Sequence, residues 1–275
     1  MMVTPFFSIV IANYNHGAYL ESAIRSVLGQ SCQDFELIVV DGGSTDNSVE
    51  VIHKYADRLA WWCSEKDKGQ SDAFNKGFAR SKGCFLTWLN ADDLLLSDAL
   101  ESVKKGADMS GADWFAGNTI FVDQEERVLW CSWGPRWREI FLKRAPIYVH
   151  GPSSFFSRRL FDMAGNFDLT LRYTMDADLW FRFMQLGVRF IRVPHYCWAF
   201  RVHTGSKTSH AFNEPSACFA KERAVVVERY GYKYTRLWSF MLSLYKIMNG
   251  CFVKASFDTI RYKGTRLRER LLCSE

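Results

Sequence analysis

Residues 37–55 read LIVVDGGSTDNSVEVIHKY, and this stretch is the clearest guide to the fold class of the chain. Four apolar residues lead to Asp41, a Gly-Gly-Ser-Thr turn follows, and an amphipathic segment runs from about Asn47 to Tyr55. A short buried strand that leads through a tight turn into a helix is the βα unit of a parallel sheet. The stretch therefore predicts a strand, a polar turn at its carboxyl end and a helix packed on the sheet.

The same alternation continues through the first hundred residues and becomes less regular after them. The predicted strands are Ser8–Ala12, Leu37–Val40, Ala60–Cys63, Phe85–Leu89, Trp114–Val122 and Ser153–Ser157, and the predicted helices are Tyr19–Leu28, Asn47–Tyr55, Ser71–Ala79 and Asp176–Leu186. We therefore predict an α/β fold with a Rossmann-like, mostly parallel sheet flanked by helices, followed by a C-terminal helical tail.

Length and composition indicate one globular domain with an appendage. The chain has 275 residues, of which 48% are hydrophobic and 16% aromatic, so it can bury a full core and is not a disordered chain. Its eight cysteines are scattered without a Cys-x-x-Cys pair, so we predict neither a zinc site nor a disulfide framework. We see no secretory signal and no run of roughly 18 to 20 apolar residues that could span a membrane. These features predict a cytoplasmic protein.

The positive charge of the chain is concentrated near its C-terminal end. From Tyr232 onward there are nine Lys or Arg against three Asp or Glu, whereas the whole chain carries +5. Apolar residues between Leu237 and Phe252 recur close to a 3.6-residue period, which predicts one amphipathic helix with basic flanks. Such a helix could dock on its own domain or lie on an anionic membrane surface, and both interpretations stay open. A nucleic-acid role is not indicated, because acids dominate the loops at the strand ends.

Residues 85–94, FLTWLNADDL, carry the densest cluster of candidate site residues. The predicted strand leads into Asn90, Asp92 and Asp93, and adjacent carboxylates repel each other unless solvent or a cation lies between them. Mg²⁺ and Mn²⁺ accept such oxygen ligands and leave room for a diphosphate. The alternative is that Asp92 or Asp93 caps a helix that begins near Leu94.

Two other polar loops follow predicted strands. Residues 39–46, VVDGGSTD, place Asp41 at a strand end before two glycines, where its carboxylate could accept a hydrogen bond from a base or ribose. Residues 64–77, SEKDKGQSDAFNKG, lie between a strand and a helix, as a loop around a polar ligand would. The alternatives are an ordinary βα turn for the first loop and a solvated surface loop for the second.

In their order and spacing, these motifs and SIVIANYN (residues 8–15) resemble family-two glycosyltransferases of the GT-A fold, particularly bacterial enzymes of surface-polysaccharide assembly. The dense match covers about the first hundred residues. Three later segments resemble the family at fewer positions: HGPSSFFSRRLFDMAGNFD (150–168), MDADLWFRFMQLG (175–187) and RVHTGSKTS (201–209). The second of them departs from the family, which usually has Glu-Asp where this chain has Met175 and Asp176.

The resemblance implies an inverting glycosyltransferase that moves a sugar from a nucleotide diphosphate sugar to a hydroxyl of a glycan or polyprenyl-linked acceptor, assisted by Mg²⁺ or Mn²⁺. Asp176 is the position that matches the family's general base. The resemblance assigns the nucleotide sugar to Ala12, Tyr14, Asp41, Asp72, Asn90 and Asp92, and the metal to Asp92, Asp93 and His203. Asp178 and Arg182 lie beyond Asp176 on the same predicted helix, and we interpret them as a salt bridge across it.

The predicted organisation has a catalytic domain and a tail. Residues 1–210 form the GT-A domain, with a nucleotide-binding half at 1–95 and an acceptor-binding half at 96–210. Residues 211–275 form a helical, basic and amphipathic appendage. Contact between this appendage and the inner face of the plasma membrane, where a polyprenyl-linked acceptor would lie, is a hypothesis based on the basic amphipathic pattern.

Two other functions remain as alternatives. A nucleotidyltransferase that forms sugar nucleotides would need a glycine-rich, basic loop after the first strand, but ANYNH (12–16) follows there, and no Lys or Arg occurs before Arg25. A catalytically silent protein of the same fold, which binds a sugar nucleotide or polysaccharide as a scaffold, is favoured only by Met175 in place of Glu.

Overall fold

A computed structural model describes residues 4–136, 138, 140–141, 149–206, 217–231 and 235–267. The strands are β1 (Phe7–Asn13), β2 (Phe35–Asp41), β3 (Trp61–Ser64), β4 (Phe85–Asn90), β5 (Leu94–Leu95), β6 (Trp114–Val122), β7 (Val128–Ser132), β8 (Ser154–Ser157) and β9 (Ile191–Arg201). The helices are α1 (Gly17–Leu28), α2 (Ser48–Tyr55), α3 (Gln70–Arg80), α4 (Ala99–Ser110), α5 (Arg158–Ala164), α6 (Met175–Gln185), α7 (Ala217–Arg229), α8 (Arg236–Met248) and α9 (Cys251–Tyr262). The predicted α/β class is confirmed.

The strands of the described part form one sheet in the order β3-β2-β1-β4-β8-β6-β9-β5, with β7 paired to β6. The half made of β3, β2, β1 and β4 is parallel, as predicted. The other half is mixed, since β8 is antiparallel to both β4 and β6, whereas β6 and β9 are parallel. The sheet is thus less uniformly parallel than expected, and its antiparallel pairings lie in the region where the sequence pattern becomes irregular.

Continuous apolar runs form the parallel strands because both faces of the sheet are covered. On β2, Ile38 and Val40 belong to the core beneath α3, α5 and α6, whereas Leu37 and Val39 belong to the core beneath α1, α2 and α4. All four side chains are at most 1% exposed. Consecutive residues of a strand point to opposite faces, so a run of four apolar residues fills two cores at once.

The register of the parallel strands places the polar residues at one edge. Asn13 at the end of β1 pairs with Asp41 at the end of β2, and Ala12 pairs with Asn90 at the end of β4. Ser64 at the end of β3 pairs with Asp41, so the three predicted polar loops, after β2, β3 and β4, all start at this edge. In open sheets of this kind the carboxyl edge is where ligands bind.

The C-terminal tail differs from the prediction of one helix. Residues 236–248 form α8, residues 251–262 form α9, and Gly250 between them has a φ of 67°, a conformation in which glycine is not strained. The prediction of a continuous helix to Phe252 was wrong, because the apolar period continues across a position where the backbone turns.

The predicted boundary at residues 210 and 211 lies outside the described residues. Within the described part, no helix combines the length and the apolar character needed to cross a bilayer.

Candidate active site

Asp41 lies beneath the strand edge as a fully hydrogen-bonded carboxylate. Its side chain is completely buried and accepts hydrogen bonds from Asn13 Nδ2 (2.6 Å), Ser64 Oγ (2.6 Å) and the Ser44 amide (2.9 Å). Burial by itself would raise the pKa of Asp41, but the hydrogen bonds from Ser44, Ser64 and Asn13 outweigh it and lower the pKa. Asp41 is thus an ionised anchor of the turn after β2, where Gly43 adopts a φ of 81°.

Asp92 and Asp93 do not cap a helix. The residues that follow them, Leu94 and Leu95, form strand β5, and the next helix begins only at Ala99. The helix-cap interpretation was therefore wrong. The chain turns sharply after β4 and pairs β5 with β9, so the two carboxylates stay at the edge of the sheet.

Asp93 faces the protein interior. Its side chain is 1% exposed, and its oxygens accept hydrogen bonds from the Arg201 amide at 3.0 Å and from Asn90 Nδ2 at 2.8 Å. Burial, and secondly the negative charge of Asp92, raise the pKa of Asp93 well above its ordinary value. Asp93 thus ties the end of β4 to the end of β9.

Asp92 meets two histidines from distant segments. Its Oδ2 lies 3.0 Å from His203 Nε2, and one ligand atom each of His16, Asp92 and His203 lies within 4.8 Å of the others. We call these three residues the His-Asp-His cluster. Two imidazole nitrogens and one carboxylate oxygen form a donor set that fits a divalent transition metal, and it suits Mn²⁺ better than Mg²⁺, which prefers oxygen ligands. Asp93 is not part of this cluster.

Arg201 holds the Asp92 loop in place. This side chain is 2% exposed, and its Nε donates to the Asp92 carbonyl at 2.8 Å while its Nη1 donates to the Gln124 carbonyl at 2.8 Å. Its guanidinium also lies over the Tyr19 ring, 4.9 Å from the centroid. The sequence analysis nominated neither Arg201 nor His16. Both lie inside or next to recognised segments, RVHTGSKTS and SIVIANYN, but only tertiary structure shows that they face Asp92.

A cleft of about 180 Å³ opens beside the end of β4. Asn90, Gln70 and Asp176 line it together, so the predicted base and the strand-end polar residues face the same space. The remaining wall is largely aromatic and includes Trp88, Phe121, Trp198 and Phe200. Asp176 lies in the first turn of α6, where its Oδ1 accepts a hydrogen bond from the Ala177 amide at 2.7 Å. An aromatic cleft with a few polar groups at one end is typical of a small-molecule site.

Met175 lines the cleft beside Asp176, but most of its side chain is buried. Its side chain is 7% exposed and belongs to the core, and Ser71 Oγ lies 3.0 Å from its Sδ. The departure from the usual Glu-Asp pair therefore leaves the Asp176 carboxylate in the cleft. Asp178, in the first turn of α6, is buried and forms salt bridges with Arg182 at 2.9 Å and with Arg229 at 2.7 Å. The predicted salt bridge between Asp178 and Arg182 is therefore confirmed.

The other predicted nucleotide-binding residues lie around the strand edge. Ala12 is partly buried on β1, and Tyr14 in the following loop is 59% exposed. Asp72 lies in the first turn of α3, where its Oδ2 accepts a hydrogen bond from the Lys68 amide at 3.0 Å and lies 3.7 Å from Lys76 Nζ. Asp72 is thus paired with its own loop and helix. A direct role of these residues in nucleotide binding stays a prediction.

Comparison with known proteins identifies the family of the chain. The sequence model of the family described as "Glycosyl transferase family 2" matches residues 8–163, more than half of the chain. The chain belongs to glycosyltransferase family 2. A relative in Rickettsia prowazekii, described as an uncharacterised glycosyltransferase, is 30% identical over 221 residues, covering 77% of this chain and 68% of the relative.

Solved structures of other glycosyltransferases share the GT-A fold with this family-two glycosyltransferase. Residues 1–349 of TarS from S. aureus, in complex with UDP-GlcNAc, align with a TM-score of 0.63 and 18% identity over 92% of this chain and 77% of that one. The mannosyltransferase PcManGT from Pyrobaculum calidifontis, in complex with GDP-Man and Mn²⁺, aligns with a TM-score of 0.62 and 19% identity over 94% and 76% of the two chains. At these identities the likeness shows the fold.

Proposed function

We propose that this family-two glycosyltransferase transfers a sugar with inversion from a nucleotide diphosphate sugar to an acceptor hydroxyl, with Asp176 as the general base. The observation that carries the proposal is the shared cleft, in which Asp176 faces Asn90 at the end of β4. Asp92 of the His-Asp-His cluster follows Asn90 by two residues. A donor held at the strand edge would therefore present its sugar toward Asp176.

Inversion requires the acceptor oxygen to attack the anomeric carbon from the side opposite the leaving diphosphate. The carboxylate of Asp176 would accept the hydroxyl proton as that oxygen attacks. General base catalysis of this kind contributes roughly 10² to 10⁴-fold to a rate. The aromatic wall formed by Trp88, Phe121 and Trp198 supplies apolar surface for sugar rings and restricts water.

His16, Asp92 and His203 would hold the divalent metal, which when bound neutralises charge on the leaving diphosphate. The mixed nitrogen and oxygen donor set favours Mn²⁺ over Mg²⁺. Asp93 is proposed to position the metal-site loop rather than to bind metal directly, since both of its oxygens already accept hydrogen bonds within the protein.

The proposed acceptor is a hydroxyl of a glycan or of a polyprenyl-linked glycan at the inner face of the plasma membrane, as in bacterial surface-polysaccharide assembly. The scaffold alternative rests on Met175 in place of Glu. The family match and the presence of Asp176 in the cleft favour an active transferase over a scaffold.

The test is sugar release or transfer from UDP-, GDP- and dTDP-sugars with Mn²⁺, followed by magnetic resonance of the product anomer. We expect inversion at the anomeric carbon, and a loss of at least about 100-fold in rate for Asp176→Asn with donor binding retained. Asp162→Asn, at an exposed aspartate of α5, is the matched control and should keep full activity. Retention of configuration, or an Asp176→Asn variant within a few-fold of wild type, would contradict the proposal.

A further inference from the structure

The tail helices α8 and α9 each have one face fixed to the domain. On α8 the docking face is formed by Trp238, Leu242 and Tyr245, whose spacing puts them on one side of the helix. Leu242 is 6% exposed, and the rings of Trp238 and Tyr245 lie 5.7 Å and 4.9 Å from that of Phe141. The helix is therefore held at a defined rotation about its axis.

On α9 the docking face is polar as well as apolar. Asp258 accepts hydrogen bonds from Trp133 Nε1 at 2.8 Å and Tyr196 Oη at 2.6 Å, and Thr259 Oγ1 accepts one from the Cys131 amide at 2.9 Å. These contacts join α9 to β7 and β9. The face of α9 that points away from the domain is fixed by them.

The opposite faces of both helices are apolar and exposed. They include Leu237, Phe240 and Ile247 on α8 and Val253, Phe257 and Ile260 on α9, each between 58% and 82% exposed. We call these six residues the outer face. Single exposed apolar residues are common on proteins, but a set spread over two consecutive helices indicates an interaction surface.

The charges around the outer face are almost all positive. Residues 235–267 contain six Lys or Arg and one acidic residue, Asp258, which is used in the contact with the domain. Among the basic residues, Arg236, Lys254, Arg261 and Lys263 are exposed. A second copy of the chain would bring the same positive charges together, whereas an anionic surface would neutralise them.

We propose that α8 and α9 form a docking surface for an anionic lipid bilayer. The outer face would insert into the boundary between headgroups and acyl chains, while the exposed basic residues contact the headgroups. Both helices would lie in the membrane plane, since each has at most 13 residues and neither can span a bilayer. One face of the two helices thus packs on the domain, and the opposite face is exposed and would contact the membrane. This proposal concerns the surface and does not depend on the identity of the donor or acceptor.

The test is cosedimentation of the full chain with large vesicles of phosphatidylcholine alone or with 30% phosphatidylglycerol. We expect binding to the anionic vesicles, at least tenfold weaker binding to neutral vesicles, and weakening by 0.5 M salt. Phe257→Ser with Ile260→Ser should reduce binding at least tenfold, and so should Arg261→Glu with Lys263→Glu. Met109→Ser, an 88% exposed apolar residue on α4, is the matched control and should bind like wild type.

Thermal unfolding of each variant shows whether the fold is retained, and sedimentation velocity gives its oligomeric state. If the folded wild-type protein does not cosediment with anionic vesicles, the proposal is overturned. Folded outer-face variants that bind as tightly as wild type would also overturn it. A wild-type dimer that the Phe257→Ser and Ile260→Ser changes convert to monomer, without vesicle binding, would assign the outer face to a second copy of the chain instead.

Discussion

Asp92 and Asp93 are neighbours in the sequence but have different environments. Asp92 meets His203 at 3.0 Å and is partly exposed, whereas Asp93 is 1% exposed and bonded to Asn90 and Arg201. The strand that delivers both acids could be predicted from the sequence. Their division between the His-Asp-His cluster and structural hydrogen bonds could not, because the partners Arg201 and His203 lie 108 and 111 residues later in the chain.

This division predicts opposite effects of two matched substitutions. Asp93→Asn should lower the free energy of unfolding by about 1 to 3 kcal/mol, because an amide cannot accept both hydrogen bonds that the carboxylate accepts. It should change Mn²⁺ affinity little. Asp92→Asn should weaken Mn²⁺ binding at least about tenfold and change stability less. Urea denaturation and Mn²⁺ titration measure the two effects, and the reverse pattern would refute the assignment.

His16 is predicted to bind metal although the sequence analysis did not nominate it. His16→Ala should weaken Mn²⁺ binding roughly tenfold and affect Mg²⁺ much less, since imidazole nitrogen is a ligand of transition metals. The control is His53→Ala, at an exposed histidine of α2 outside the cluster. Equal Mn²⁺ affinity of the His16 variant and wild type, measured by calorimetry, would remove His16 from the site.

His150 gives the stability of the protein a specific pH dependence. Burial, and secondly the positive charges of Arg192 and Lys246, lower the pKa of His150 from 6.5 to about 4. Between these two values the unfolded chain binds more protons than the folded chain, so stability falls as pH drops.

His150→Gln should remove this contribution. Between pH 7 and pH 5 the free energy of unfolding of wild type should fall by about 2 kcal/mol more than that of the variant, as measured by urea denaturation. A variant whose stability changes with pH as much as that of wild type would show that folding does not lower the pKa of His150.

At the scale of elements, α7 from the tail holds the segment that leads into the helix carrying Asp176. Glu222 on α7 is 8% exposed and accepts hydrogen bonds from the Arg172 amide at 3.0 Å and the Tyr173 amide at 2.8 Å, just before α6 begins. A carboxylate at a helix N-terminus also interacts favourably with the helix dipole. The predicted appendage thus supports the site as well as extending from it.

Glu222 is therefore predicted to be a positioning residue. Glu222→Gln should lower kcat several-fold and leave the KM for the donor nearly unchanged, because α6 carries Asp176 but not the strand-edge residues. Stability should fall by about 1 kcal/mol, because an amide replaces a buried carboxylate that accepts backbone hydrogen bonds. Glu228→Gln, at an exposed glutamate of the same helix, is the control. A fall in stability without any change in kcat would limit Glu222 to a structural role.

The elements of the first half could be predicted because each parallel strand is a short apolar run followed by a polar turn and a helix. Strand β9 was missed, since IRVPHYCWAFR contains a proline and has no regular alternation of apolar and polar residues. Helix α4 was not predicted either, because the helix start considered in this region was near Leu94, where the structure has strand β5. Strand β9 supplies Trp198 and Phe200 to the wall of the cleft and leads to His203, and α4 packs against β9.

At the scale of the whole molecule, the site is assembled from segments that the sequence separates widely. The loop after β1 contributes His16, the end of β4 contributes Asn90 and Asp92, α6 contributes Asp176, and the chain after β9 contributes His203. Family resemblance could nominate most of these residues. The folded sheet brings His16, Asp92 and His203 into one cluster, and it brings Asn90 and Asp176 into one cleft.

The central claim is that a metal-held nucleotide sugar and a separate base share this cleft. Calorimetric titration of UDP and GDP, with and without Mn²⁺, into wild type, Asp92→Asn and Asp176→Asn tests it most directly. We predict that Mn²⁺ tightens binding of one nucleotide at least about tenfold in wild type and Asp176→Asn, and that this gain disappears in Asp92→Asn. Nucleotide binding that is indifferent to Mn²⁺ and to Asp92 would contradict the account.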